Sequence, residues 1–191
     1  MGDDLALIHM RAQARNNAWA NLRLLDVVGR LTQVEFVAPR TGFFPSLRAT
    51  LNHILIIDHF YVDALEGGAL GPAAWADPEP CADIAALRAA QAEVDARLIR
   101  FCDALTMATL LGQTRVHRGH RVQVERTDRL LLHLFQHDIH HRGQAHAMLS
   151  GTGAKPPQLD EFYSAGEAHL RAEEFARLGF TEAAIWGDPP A

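Results

Sequence analysis

Apolar residues recur at intervals of three and four residues in four long stretches of the chain. This spacing places them on one face of an α-helix, because a helix has about 3.6 residues per turn. The four predicted helices cover residues 3 to about 29, about 46 to 65, 85 to about 105, and 127 to about 149. Four helices of roughly 20 residues, joined by loops long enough to cross their ends, predict an all-α protein built as a four-helix bundle.

Residues that favour helix starts precede three of these stretches. A side-chain oxygen at this position accepts a hydrogen bond from a backbone N–H that has no partner within the helix. The predicted capping residues are Asp3 or Asp4 for the first helix, Asp83 for the third, and Thr127 with Asp128 for the fourth.

Two shorter elements complete the prediction. Residues 114–124 alternate polar and β-branched side chains around Gly119, which is typical of a small β-hairpin. A short amphipathic helix is predicted over about 165–178, after the pair Pro156-Pro157. No interior linker suggests a second unit, so we expect one domain over residues 1–191 with its core at about 3–152.

Composition and charge restrict the class of protein. With 48% hydrophobic and 21% charged residues, the chain has the composition of an ordinary globular protein. Its net charge of -5 gives no electrostatic reason to bind a polyanion, so we expect no nucleic-acid partner. The sequence shows neither a signal peptide nor a run of 18 apolar residues, and we expect a cytoplasmic protein without a membrane partner.

Cys81 and Cys102 form no CxxC motif and are expected to be reduced, with Cys102 a thiol of the core.

Histidines are concentrated in the fourth predicted helix. Five of them fall within 14 residues: His133, His137, His140, His141 and His146. His137 and His141 are one turn apart and point the same way, so two imidazoles can reach one ion. The same stripe is apolar at Leu130 and Met148, and it carries nitrogen donors for about two turns only. An isolated HxxxH pair is more often a surface or packing feature, so a metal site needs a third ligand.

The second predicted helix supplies a candidate for that third ligand. His53 lies within the apolar face, close to Ala49 and Ile57, and should point inward. In the same projection Asp58 and His59 lie off this face, and His59 is expected in solvent. Three histidines on neighbouring helices could share one ion, which would give each buried imidazole a partner.

Two segments resemble the signature segments of the DinB family. They are residues 39–58, which contain Leu-Asn-His, and residues 133–144, which contain His-His-Arg-Gly-Gln. The likeness covers about residues 1–160. It implies a four-helix bundle with a long crossover, usually a homodimer, in which three histidines hold a metal. These histidines carry over to His53, His137 and His141.

Three imidazole ligands would leave at least one coordination position open. Such a donor set suits zinc, nickel, iron or copper, and the sequence does not select among them. Water or a thiol at the open position could become a nucleophile at neutral pH. Relatives in the wider superfamily are thiol-dependent transferases and isomerases, so the resemblance implies a small-molecule substrate and a low-molecular-weight thiol as a candidate partner. The alternatives are a hydrolase and a non-catalytic metal-binding or stress-response module.

Residues beside the three histidines are open to both structural and functional interpretations, and no catalytic residue is assigned. The candidates for an acid, a base or a supporting role are Gln144, His140, His133 and Asp58, and a structural role is the first expectation for each. Arg142 is expected on the helix surface or in an interface ion pair, and Gly143 is expected to allow close helix packing. The Glu-x-x-His pairs of di-iron bundles and the Gly-x-Ser-x-Gly elbow of hydrolases are absent.

Overall fold

The computed structural model of the protein describes residues 5–186, so the predicted caps Asp3 and Asp4 lie outside the described residues. This part of the chain is mostly helical, with one small antiparallel sheet. Four long helices are α1 (Leu5–Val28), α3 (Leu47–Leu65), α4 (Ile84–Asp103) and α6 (Thr127–Leu149). Shorter helices are α2 (Gln33–Val37), α5 (Met107–Leu110), α7 (Ala172–Leu178) and α8 (Glu182–Trp186). Turns of 3-10 helix occupy Gly71–Trp75, Glu161–Tyr163 and Ala165–Arg171.

The four long helices pack on one another around a shared apolar core. Helices α1 and α3 each contact both α4 and α6. Leu24 from α1, Ile54 from α3, Leu98 from α4 and Leu134 from α6 are all buried in this core. The predicted long helices are therefore present, with ends within about two residues of the expected positions.

The start of α6 differs from the prediction. Asp83 caps α4 as expected, with its side chain accepting from the backbone N–H of Ala86 at 2.9 Å. Helix α6 has no side-chain cap at its first turn. The Thr127 hydroxyl instead shares a hydrogen bond of 2.9 Å with the hydroxyl of Thr114. The expected cap is wrong because Thr127 is already the first helical residue and its hydroxyl bonds to Thr114, in the first strand of the hairpin.

The predicted hairpin is confirmed. Strands β1 (Gln113–His117) and β2 (Val122–Arg126) pair antiparallel, with Gln113 opposite Arg126 and His117 opposite Val122. Gly119 in the connecting turn has φ +81°, a conformation that favours glycine. The hairpin packs on both α3 and α6.

Two short segments depart from the expected secondary structure. Helix α2 was not predicted, although Thr32 and Glu35 form a capping box at its start. The expected helix over 165–178 is a 3-10 turn followed by α7, and the carbonyls of Glu161 and Ser164 accept hydrogen bonds from the buried Arg171 where the two meet. Hydrophobic spacing does not separate these two helix types over so few residues.

The C-terminal segment covers one side of α1. A second apolar cluster joins Ala12, Trp19 and Ala20 of α1 to Phe162, Phe175 and Ile185. Arg23 extends the contact, with hydrogen bonds of 2.7 Å to Glu161 and 2.8 Å to Glu174.

The two cysteines do not form a disulfide. Cys81 and Cys102 are both buried and unpaired, and burial raises the pKa of the Cys102 thiol to about 12. Cys102 is therefore a core residue, as expected.

Between residues 5 and 186, no helix has both the length and the apolar character needed to cross a membrane.

Candidate metal centre

The three histidines identified in the sequence lie together where α3 passes α6. One ring nitrogen of each lies within 4.8 Å of the corresponding nitrogens of the other two. Nε2 of His137 is 3.0 Å from Nε2 of His53, and the ring centroids of His137 and His141 are 4.5 Å apart. The structure thus brings His53, His137 and His141 into one group that could hold a metal ion.

Neighbouring acceptors determine which nitrogen of two rings carries the hydrogen. Nδ1 of His137 lies 3.2 Å from Oδ1 of Asp138, and Nδ1 of His141 lies 2.9 Å from Oε1 of Gln144. Both oxygens accept a hydrogen bond from Nδ1–H, which leaves Nε2 of each ring with its lone pair. Such partners orient the ligands of metal sites and raise their basicity.

The three rings are neutral at pH 7. Burial, together with the nearby His137 and His141, lowers the pKa of His53 to about 4. Burial also lowers the pKa of His137 to about 4 and lowers that of His141. Metal binding requires neutral imidazoles, so the three rings can bind an ion without first losing protons.

The donor set fits a divalent metal. Ligand nitrogens at about 2.0–2.1 Å from a tetrahedral ion are about 3.3 Å apart, close to the 3.0 Å between His53 and His137. Without an ion, a hydrogen on Nε2 of His53 could be donated to Nε2 of His137 or to Nε2 of His141, but not to both. One cation would accept a lone pair from all three rings.

Two phenylalanines from the loop before α3 cover one side of the histidine group. The Phe44 ring centroid lies 4.4 Å from that of His53 and 5.6 Å from that of His141. Phe43 packs edge-on against Phe44 and is 78% exposed. Phe44 therefore shields the rings from water, while Phe43 forms the outer rim.

A buried polar network lies behind the histidine group. Its members are Asn17, Asn21, Asp58, Gln91, Asp95, Asp138 and Arg142. Gln91 donates to Asp58 at 2.7 Å, Asn21 donates to Asp95 at 3.0 Å, and Arg142 donates to Asn21 at 3.0 Å. Members from all four long helices are joined in this way, so a polar cluster is buried within the otherwise apolar core.

Two sequence predictions about this network are wrong. Asp58 was placed off the apolar face that carries His53, and Arg142 on the helix surface or in an interface ion pair, but only 1% of Asp58 and 5% of Arg142 is exposed. A helical projection assigns polar residues to the outside, whereas here carboxyl and guanidinium groups on different helices compensate each other inside. The histidine spacing also gave no sign of Asp138, which the network places against His137.

The carboxyl groups of the network hold protons more strongly than ordinary aspartates. Burial raises the pKa of Asp95 to about 7 and raises those of Asp58 and Asp138. If both were ionised, Asp58 Oδ1 and Asp138 Oδ2 would face no donor among residues 5–186. A proton on Asp58 forms a hydrogen bond to Asp138. Asp138 then stays an acceptor for His137.

The other histidines singled out in the sequence lie around the group rather than in it. His133 and His140 are exposed. The His140 ring nitrogen lies 2.9 Å from the amide nitrogen of Gln144, so Gln144 connects His140 to His141. His59 is half-buried and its Nδ1 lies 3.5 Å from Arg97, so the expectation that it is in solvent is wrong. Burial accordingly lowers the pKa of His59.

Gly143 does not allow the close packing between helices of this chain that was expected of it. It is exposed, and no atom among residues 5–186 lies within 4 Å of the place where a Cβ would stand. Within this chain, a side chain at position 143 would meet open space.

Comparison with known proteins agrees with the likeness seen in the two histidine-containing segments. A search of curated proteins found no match. The model of the DinB family matches residues 3–173 of the 191-residue chain, a region that includes all three grouped histidines. The chain belongs to the DinB family.

Proposed function

We propose that the protein is a metal-dependent enzyme in which His53, His137 and His141 hold one divalent ion and leave a position open for reaction. The observation that supports this most strongly is the convergence of three neutral imidazoles within 4.8 Å. In the part of the chain that the structure describes, the group has no fourth histidine, cysteine or carboxylate. A set of three protein ligands is typical of catalytic rather than structural sites.

The proposed reaction is a thiol-dependent transfer or isomerisation, or a hydrolysis, of a small molecule. When bound, the metal would lower the pKa of a thiol or a water at the open position. Asp138 and Gln144 hold the hydrogens of His137 and His141 at Nδ1, so both rings present Nε2. Phe44 excludes water from one side of the rings, which strengthens electrostatic interactions in the site.

The remaining parts of the proposal concern the metal, the architecture and the assembly. Zinc, nickel and iron all suit three imidazoles. We place the four long helices in a four-helix bundle with a long crossover, and the protein in the cytoplasm.

A homodimer packed through helix faces is supported by the outer side of α6, where Leu132 and Ile139 are 48% and 45% exposed and Gly143 leaves room for close approach.

Metal content and turnover test this function together. Protein purified without a histidine tag should hold a single divalent ion per chain, and His137→Ala should lose it. His133→Ala is the matched control for metal content, because His133 lies on the same helix, one turn away and outside the histidine group. A screen with low-molecular-weight thiols and small electrophiles should then detect turnover that needs the metal.

Three results would contradict the proposal. They are native protein that binds no metal, His137→Ala that retains it, and turnover that persists in metal-free protein. Stoichiometric metal without turnover in the thiol and hydrolysis screens would favour the non-catalytic metal-binding module. Loss of helical content in His137→Ala would favour a structural metal.

A further inference from the structure

A polar cavity of about 220 Å³ lies where the hairpin packs on α3 and α6, and its lining includes His133, one helical turn before His137. Its polar lining comes from α3, the hairpin and α6, and consists of Tyr61, Arg118, Gln123, Glu125, Arg129 and His133. We propose that this cavity binds a carboxylate of the substrate, with Arg118 as the anchoring residue. The proposal gives the substrate class for the function above and rests on it only for the reaction at the histidines.

The position of the cavity is suited to a ligand that also reaches the histidine group. His133 precedes His137 by one turn of α6, which is about 6 Å along the helix axis. Tyr61 follows His53 by about two turns of α3, and its ring centroid lies 5.3 Å from that of His133. Ile57 is half-buried and lies midway between His53 and Tyr61 along α3, so the residue between the two places is apolar. A molecule with an apolar spacer of several carbon atoms could therefore occupy both places.

Arg118 is held in place without a carboxylate partner. Its guanidinium lies over the rings of Phe60 and Tyr61, at 4.9 and 5.5 Å from their centroids. Nη2 donates to the Tyr61 hydroxyl at 3.1 Å and Nε donates to Gln123 at 3.2 Å. No carboxylate among residues 5–186 forms an ion pair with it. A half-buried arginine in this state is a fixed positive charge with hydrogen-bonding capacity to spare.

The charges of the lining favour a group with a single negative charge. Arg129, the second arginine, lies 3.5 Å from Glu125, which also lines the cavity. Two guanidiniums and one carboxylate leave one net positive charge, which matches a carboxylate better than a doubly charged phosphate. The Tyr61 oxygen accepts from Arg118, so its own hydrogen can be donated to an anion. A planar carboxylate can take two parallel hydrogen bonds from a guanidinium, which gives orientation as well as affinity.

A pair of thiols tests the cavity in cobalt-loaded protein. The probes are 6-mercaptohexanoate and the uncharged 6-mercaptohexan-1-ol, which share a thiol and a six-carbon chain. Binding is followed by the absorption band that arises when sulfur binds cobalt. We expect native protein to bind the carboxylate about tenfold more tightly than the alcohol, since a hydrogen bond between two charged groups is stronger than one to a neutral hydroxyl, and partial exposure to water weakens it. Arg118→Gln should abolish this preference and leave the affinity for the alcohol unchanged. Arg121→Gln, an exposed hairpin arginine outside the cavity, should keep it.

A measurement on metal-free protein separates failure of the cavity from failure of the proposed function. Hexanoate should shift the NMR signals of the Arg118 side chain and the His133 ring, whereas the uncharged hexanamide should not. Arg118→Gln should remove the response of His133 to hexanoate. If neither thiol gives the cobalt band but these shifts occur, the thiol reaction is wrong and the cavity assignment holds. If hexanoate shifts neither signal, or if Arg118→Gln binds both carboxylates as native protein does, the cavity proposal is overturned whatever happens at the metal.

Discussion

Oδ1 of Asp138 lies 3.2 Å from Nδ1 of His137, so a fully buried carboxyl group holds an imidazole whose other nitrogen faces His53. The two residues are neighbours in sequence, but successive side chains of a helix point about 100° apart. Asp138 therefore lies in the polar network, while His137 lies in the groove between α3 and α6. Through this contact the interior of the protein fixes the geometry of the candidate metal site.

Replacement of Asp138 by asparagine should weaken metal binding although no proposed ligand changes. Without the carboxylate, the His137 hydrogen is no longer held at Nδ1 by a charged acceptor. Loss of such partners lowers metal affinity by about 10–100-fold. Competition titration with a zinc chelator measures the change. Asp95→Asn is the control because Asp95 belongs to the same network and makes no hydrogen bond to a histidine. Equal zinc affinities for native protein and Asp138→Asn would contradict the argument.

Removal of the Phe44 ring should restore a more ordinary pKa to His53. The lowered pKa of about 4 arises first from burial, and Phe44 is the aromatic ring packed most closely on that imidazole. In metal-free Phe44→Ala, the pKa of His53 should rise from about 4 towards 6.5, as measured by NMR titration. Phe43→Ala removes a ring that is 78% exposed and should leave the pKa of His53 nearly unchanged. A rise of the same size in both variants would show that Phe44 does not shield His53.

Metal-free protein should lose stability through His53 as the pH falls from about 6.5 to about 4. In this range the unfolded chain protonates a histidine of pKa 6.5 while the folded protein keeps His53 neutral, so protons favour unfolding. His53→Leu removes this contribution and suits the apolar neighbours. Because the ring is half-exposed and water screens its charge, the variant should gain on the order of 1 kcal/mol relative to native protein between pH 7 and pH 4.5. Thermal unfolding at several pH values measures it, and a difference that does not vary with pH would count against the neutral His53.

Asp95 should have the opposite effect on the pH dependence of stability. Its pKa is raised to about 7 by burial, so the folded protein binds a proton that the unfolded chain releases near pH 4. The stability that this proton provides is complete below about pH 4 and is lost as the pH rises to about 7. Asp95→Asn carries no titrating group there, so its free energy of unfolding relative to native protein should rise by roughly 1–3 kcal/mol between pH 4.5 and pH 8. Denaturant unfolding at the two pH values tests this, and an unchanged difference would mean that Asp95 is ionised throughout.

The long helices and the hairpin were predictable because their signals are local. Spacing of apolar residues and a glycine in a turn depend on neighbours in the chain, and the structure follows them. The convergence of His53 with His137 and His141 was predictable for a related reason. An i, i+4 pair on one helix and a histidine on the apolar face of another made a shared site possible, and the resemblance to the DinB family implied it.

The polar network could not be predicted in the same way. Asp58 and Arg142 are buried only because amide groups from α1 and α4 meet them inside, and no local pattern records such a meeting. Hydrophobic spacing therefore did not predict that these two side chains are buried. The contact of Asp138 with His137 was missed for the same reason, since burial of a carboxyl group depends on the assembled fold.

The cover that the C-terminal segment gives to α1 has a practical consequence for any shortened form of the protein. A chain ended at residue 152 would still contain all four long helices and the three grouped histidines. It would also remove Phe162, Phe175 and Ile185 from the apolar cluster around Trp19, whose side chain is completely buried in the 191-residue chain. The newly exposed tryptophan and alanines would form an apolar surface, and such a fragment should precipitate or self-associate at concentrations where the 191-residue chain remains dispersed.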